Sequence, residues 1–112
     1  MSATDLRGQI DLLLLSVLVA EPAHGYRVIE RLRERSEGEF DLTEGTVYPA
    51  LHRLERRAWV TSKWEMAADR NREFKYYRLT DKGRKQLVVE ESQWKQMADA
   101  VARVMWPADQ ES

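Results

Sequence analysis

The stretch that decides the fold runs from His24 to Glu55: HGYRVIERLRE over residues 24–34, then FDLTEGTVYPALHRLE over residues 40–55. Each half carries apolar residues at helical spacing on one side and polar residues on the other, the pattern of an amphipathic helix with one buried stripe. In the first, Gly25, Val28, Ile29 and Leu32 form the stripe, Arg27, Glu30, Arg31, Arg33 and Glu34 face solvent, and the helix should end near Glu37-Gly38. In the second, Val47, Ala50, Leu51 and Leu54 form the stripe, leaving Pro49, His52, Arg53 and Arg56 outward with Tyr48 beside them. Its N-cap is either Thr43 or Thr46; Thr46 is preferred, because it puts Pro49 at the third helical position, where no intrahelical hydrogen bond is lost. Two short helices joined by a turn are what a helix-turn-helix reader of DNA requires.

Working outward, the region from Asp5 to Ala20 reads as a helix with Leu6, Ile10, Leu13, Leu14, Val17 and Leu18 on one side and Leu12, Leu15 and Val19 on the other. A helix apolar on two sides needs two covers, and the second is either another copy of the chain or the last helix folding back. On the far side, Trp59 to Met66 and Arg72 to Thr80 are rich in aromatic and β-branched residues, and Ala67 to Asn71 between them favours a turn, so they predict a β-hairpin. Thr80 is a good N-cap for a final helix of about 26 residues reaching Trp106, where Pro107 stops it. Along that helix Leu87, Trp94, Met97, Val101 and Val104 recur on one side as a short coiled-coil-like seam. These residues, with Leu12, Leu15 and Val19, are the candidate dimer interface. The expected architecture is α+β and mostly α: a winged helix-turn-helix over 1–80 with a two-stranded β wing, a dimerisation helix over 81–106, and a polar tail over 107–112.

Composition narrows the possible functions. With 112 residues, 43% hydrophobic and 33% charged, the chain fits one well-solvated domain. It has no cysteine, which excludes disulfides, cysteine zinc sites and thiol catalysis. The apolar run from Leu12 to Ala20 is about half a membrane span, and the N-terminus lacks a basic leader, so a cytoplasmic protein without membrane contact is expected. The net charge of −1 hides an asymmetry. Between Glu44 and Lys85 there are 11 basic and 6 acidic residues, and the rest of the chain has the opposite excess. The positive segment coincides with the second helix and the hairpin, where nucleic acid would bind.

The chemistry of that segment suits double-stranded DNA. Arg53 and Arg56 can bond guanine acceptors, His52 and Thr46 can reach bases or phosphates, and the Tyr48 hydroxyl suits a phosphate oxygen. Tyr26 and Pro49 complete this surface. In the wing, Lys63, Arg70, Arg72 and Lys75 sit on or beside the turn, within reach of the neighbouring backbone or minor groove. Catalysis is not expected. His24 and His52 are the only histidines, neither has a motif-spaced partner, and no phosphate loop or metal spacing exists, so no metal or cofactor is implied. His24 reads as a capping or core residue.

The motifs His24-Gly25-Tyr26, Leu42-Thr43-Glu44-Gly45-Thr46-Val47-Tyr48-Pro49-Ala50-Leu51, Leu54-Glu55, Trp64, Tyr76-Tyr77, Leu79-Thr80 and Gly83, in this order, resemble the PadR family of bacterial transcriptional regulators. The resemblance covers roughly residues 10 to 95, and the single C-terminal helix is like that of the small subfamily. It implies a winged helix, a C-terminal helix used for dimerisation, and repression of a promoter relieved by a small aromatic or hydrophobic molecule. One residue departs from the pattern: Ala58 stands where the family usually has glycine after the reader helix, which suggests a different helix end and wing angle. The leading expectation is a homodimeric repressor of a palindromic operator. Trp94 and Met97 are candidate effector contacts, although ordinary interface packing explains them as well. The other reading is a winged helix that binds protein instead of DNA.

Overall fold

The computed structural model describes residues 6–67 and 71–108, with side chains from Gly8 onward. Arg70, the hairpin residues Ala68 and Asp69, the Leu6 side chain and tail residues 109–112 lie outside the described residues. Helix α1 (Leu6–Val17) is the element around which α2 (Gly25–Arg35), α3 (Glu44–Arg56) and α4 (Asp81–Met105) pack. Being touched from several directions explains its two apolar sides. Leu14, Leu15, Val17 and Leu18 are all buried, and Leu12 and Leu13 are half-covered. Leu15, expected at a dimer interface, is therefore core of its own chain, and of the proposed outer stripe only Val19 is exposed.

Helix α1 ends at Val17 rather than Ala20, and the Arg31 side chain occupies its end. The Arg31 guanidinium donates to the carbonyls of Val17 (3.0 Å) and Glu21 (3.1 Å) and pairs with the Glu21 carboxylate at 2.7 Å. These bonds satisfy a carbonyl that a helix terminus leaves without an intrahelical partner. Arg31 was expected to face solvent, and it is buried because this role draws it inward. Burial lowers its pKa from the ordinary arginine value.

Helix α2 begins as expected at His24, whose Nδ1 accepts from the Arg27 backbone N–H at 3.2 Å. Helix α3 starts with Thr43, not Thr46, as N-cap. That start puts Leu42 and Val47 at the two positions of a hydrophobic staple, and Leu42 packs on the core to which Val47 belongs. It also places Glu44 in the first turn, where a carboxylate favours the helix N-terminus. Pro49 then lies inside the helix and denies the Gly45 carbonyl its usual donor. The cost of about 3 kcal/mol is offset by Val47, Leu51 and Leu54, which are fully buried and contribute about 1.5–3 kcal/mol each.

Helix α3 closes with a glycine-type cap although Ala58 stands in place of glycine, which corrects the expectation of a different helix end. The Ala58 N–H donates to Glu55 and the Trp59 N–H to Leu54, and Ala58 has φ +63°. Ala58 thus adopts the left-handed conformation at some cost, and the helix does not end differently. Strands β2 (Val60–Ala67) and β3 (Arg72–Leu79) follow as an antiparallel hairpin, with Val60 opposite Leu79 and Ala67 opposite Arg72. A third strand, β1 (Ala23–His24), pairs with Tyr77 and Tyr76 and makes the sheet order β1-β3-β2. Two residues are too short to show an alternating pattern, so periodicity predicts the hairpin alone.

Thr80 caps α4, its hydroxyl accepting from the Gly83 N–H at 2.9 Å. Only Gly83 and Leu87 of this helix are buried. Leu87, another expected interface residue, joins the chain's own core, whereas Val101 and Val104 are exposed farther along. At 25 residues the helix is about 38 Å long. The molecule measures 65 × 28 × 24 Å. None of the described helices is long and apolar enough to cross a membrane.

Candidate nucleic-acid interface

With Val47, Ala50, Leu51 and Leu54 turned to the core, the helical repeat sends Pro49, His52 and Arg56 to the opposite face, and all three are exposed. The two flanks of this face are held by polar contacts. On one, Arg53 donates to the Asp11 carboxylate of α1 at 2.7 Å. On the other, Glu55 accepts from the Ser62 hydroxyl in β2 and lies 3.6 Å from the Lys75 ammonium in β3. Arg53 was expected on the reading face with Arg56, and the structure turns its side chain to α1 instead. A helical wheel separates buried from exposed positions but does not show which neighbour a flank residue meets, so Asp11 and Glu55 were missed.

Glu55 brings the wing and the reader helix together around a cleft of about 450 Å³ lined by His52, Glu55, Arg56 and Lys75. An arginine, a lysine and a histidine around the cleft, with Glu55 the single carboxylate among them, suit a strand of phosphates. Lys75 also lies 5.6 Å from the Tyr77 ring. Arg72 lies 4.8 Å over the Phe74 ring, Lys63 is exposed on β2, and Trp64 beside it is 62% exposed. Of the cations expected on or beside the turn, Arg72 is beside it, opposite Ala67, whereas Lys63, opposite Tyr76, and Lys75, opposite Trp64, stand in mid-strand nearer α3.

Thr46 is half-buried and its hydroxyl accepts from the Thr43 hydroxyl at 3.2 Å. The Tyr48 ring lies across the start of α2. A methyl on Gly25 would come within 2.5 Å of that ring, so glycine in the His24-Gly25-Tyr26 motif lets the Tyr48 ring lie in its present place. Tyr26 is exposed, its ring edge-on to Tyr48 at 6.5 Å. Burial raises the pKa of Tyr48, with smaller contributions from Tyr26 and Glu44, so it carries a protonated hydroxyl near neutrality. His24 stacks on Phe74 at 4.7 Å, which joins the α2 start to the wing.

A second site lies between α1 and α4. Gly8, Gln9 and Leu12 face Glu90, Trp94 and Met97 across a groove of about 380 Å³, and Trp94 also borders a neighbouring groove of about 540 Å³. Trp94 is half-exposed and Met97 partly covered, so both expected effector contacts line the groove. No group of three or more histidine, aspartate or glutamate side chains that could hold a metal occurs among the described residues.

Three helices followed by a β-ribbon, with a basic helix face beside the ribbon, make a winged helix-turn-helix. The model of the transcriptional regulator PadR-like family matches residues 14–89, and the chain belongs to this family of regulators, which are not enzymes. It is similar to the crystal structure of a PadR family transcription regulator from Clostridium difficile R20291, with 31% identity and a TM-score of 0.75 over 86% of this chain and 97% of that one. A PadR family transcriptional regulator from Eggerthella lenta DSM 2243 is 32% identical, with a TM-score of 0.76 over 93% of this chain and 88% of the other. Transcriptional regulator YqjI of Escherichia coli (strain K12) is 28% identical over 58 residues, which span 52% of this chain but only 28% of YqjI.

Proposed function

We propose that this regulator is a cytoplasmic homodimeric repressor that reads a palindromic operator. The observation that carries the reading is the cleft where His52 and Arg56 of α3 meet Lys75 of the wing, beside the exposed Pro49. The first 80 residues form the DNA-binding unit: Arg56 and His52 contact base edges in the major groove, Tyr26, Thr46 and Tyr48 touch the flanking backbone, and Lys63, Arg70, Arg72 and Lys75 supply phosphate contacts. Residues 81–106 form the dimer helix, joined to its copy through Trp94, Met97, Val101 and Val104 with Leu12 and Val19 at the margin. Exposed apolar side chains along that helix, among them Val104 at 80% and Trp106 at 70%, support a partner there. Two-fold symmetry then sets the reader helices about one helical turn, roughly 34 Å, apart along the duplex. A small aromatic or hydrophobic effector stacks on Trp94 and contacts Met97, relieving repression.

Alanine substitution at Arg56 tests the reading. Specific binding should weaken by about 1–3 kcal/mol with the fold intact, measured by fluorescence anisotropy and circular dichroism. Unchanged affinity contradicts the assignment of the reader face.

A further inference from the structure

We infer that Asp11 is a positioning residue for DNA recognition, which holds Arg53 against α1 so that the reader helix meets DNA without that arginine; this rests on the DNA-reading function proposed above. The Arg53–Asp11 contact is short, 2.7 Å, and joins residues 42 apart in sequence. It is also sheltered, the side chains being 19% and 6% exposed. A sheltered carboxylate needs its partner: if Arg53 left to meet a phosphate, Asp11 would be stranded with its charge in a nearly dry position. An exposed arginine has no such restraint, so Arg56 engages DNA while Arg53 stays in place. The two are three residues apart on α3, about 60° round the axis at 100° per residue, so a released Arg53 would reach the backbone beside the same groove. Arginine forks bind phosphate well, and holding one back limits the affinity that carries no sequence information. Asp11 thereby sets the balance between specific and random binding from a helix that itself does not face the DNA.

The test is the salt dependence of binding to a labelled 30-base-pair duplex of mixed sequence, so that no operator is required. Asp11→Asn should bind about 3 to 10 times more tightly at low salt, with a slope of log affinity against log salt steeper by about 0.9 for each subunit engaged. Arg53→Gln should leave the slope of the wild type unchanged, and the double variant should match the wild type. A slope shallower by about 0.9 in Arg53→Gln, or no change in Asp11→Asn, overturns the inference. Thermal melts by circular dichroism establish folding of each variant. Should either single variant unfold, the double variant, which removes both charges together, decides by the same criterion: the wild-type slope supports the inference and a shallower one overturns it. Failure of the wild type to bind at low salt overturns the DNA-reading function itself, and the inference with it.

Discussion

Gly83 lies directly against the Trp59 carbonyl: a methyl group built on Gly83 would sit 2.0 Å from that oxygen. The same carbonyl accepts from the Thr80 N–H at 3.1 Å, and the Thr80 hydroxyl donates to the Ala58 carbonyl at 2.7 Å. The turn that closes the reader helix is therefore fastened to the first turn of α4, and only glycine permits the approach. Gly83→Ala should destabilise the fold by about 3 kcal/mol, the upper range for overpacking, because the obstacle is backbone and cannot rotate away. Urea unfolding measures this, and a loss under about 0.5 kcal/mol would show that the junction relaxes freely.

Ala58 gives a prediction of opposite sign. Its φ of +63° costs about 1–2 kcal/mol in an L-residue, while glycine there would lose about 0.4–1 kcal/mol to the entropy of the unfolded chain. Ala58→Gly should therefore raise stability by about 0.5–1 kcal/mol net. A lower melting temperature would mean that the Ala58 methyl makes a contact that outweighs the strain.

Arg31→Met removes the donors at the end of α1 while keeping much of the buried side-chain volume. Two carbonyls and the Glu21 carboxylate lose their partner. The expected loss is about 1–2 kcal/mol, because the buried Val17 carbonyl is left unsatisfied while the Glu21 carboxylate, 70% exposed, turns to water. Hydrogen exchange should show faster opening at Leu18 and Val19, and unchanged protection there would contradict the capping role.

Tyr77 predicts alkaline behaviour. Burial is the main cause of its raised pKa, with Glu55 and Tyr48 adding to it, so the folded chain holds the phenolic proton more tightly than the unfolded chain. Its contribution to stability is complete below the ordinary tyrosine value of 10.0 and is lost as pH rises through the higher folded value. Tyr77→Phe should flatten the fall in melting temperature between about pH 9 and 11. An equally steep fall would place the alkaline sensitivity elsewhere, Tyr48 being the next group.

Elements with many repeats of a period were legible in the sequence, as were caps with one obvious residue. The buried stripe of α3, the hairpin and α4 with its Thr80 cap follow from periodicity and local hydrogen bonding. What escaped depended on partners distant in sequence. Periodicity shows that α1 is apolar on two sides, but not that α4 and the other helices cover both, so it points Leu15 and Leu87 to a second copy where the fold buries them in the core. Arg31 and Arg53 look like surface cations until the Val17 carbonyl and Asp11 are brought beside them. Pro49 by itself favours Thr46 as the cap, and the packing of Leu42 and Val47 on the core moves the helix start to Thr43.

The central claim, that the face carrying His52 and Arg56 reads DNA, is tested most directly by fluorescence anisotropy. Purified protein is titrated against a labelled fragment from upstream of its own coding region and a scrambled fragment of equal length, across a range of salt. Tighter binding to the native fragment is expected, with affinity that falls steeply with salt as phosphate contacts release counterions. No binding to either fragment at low salt would contradict it.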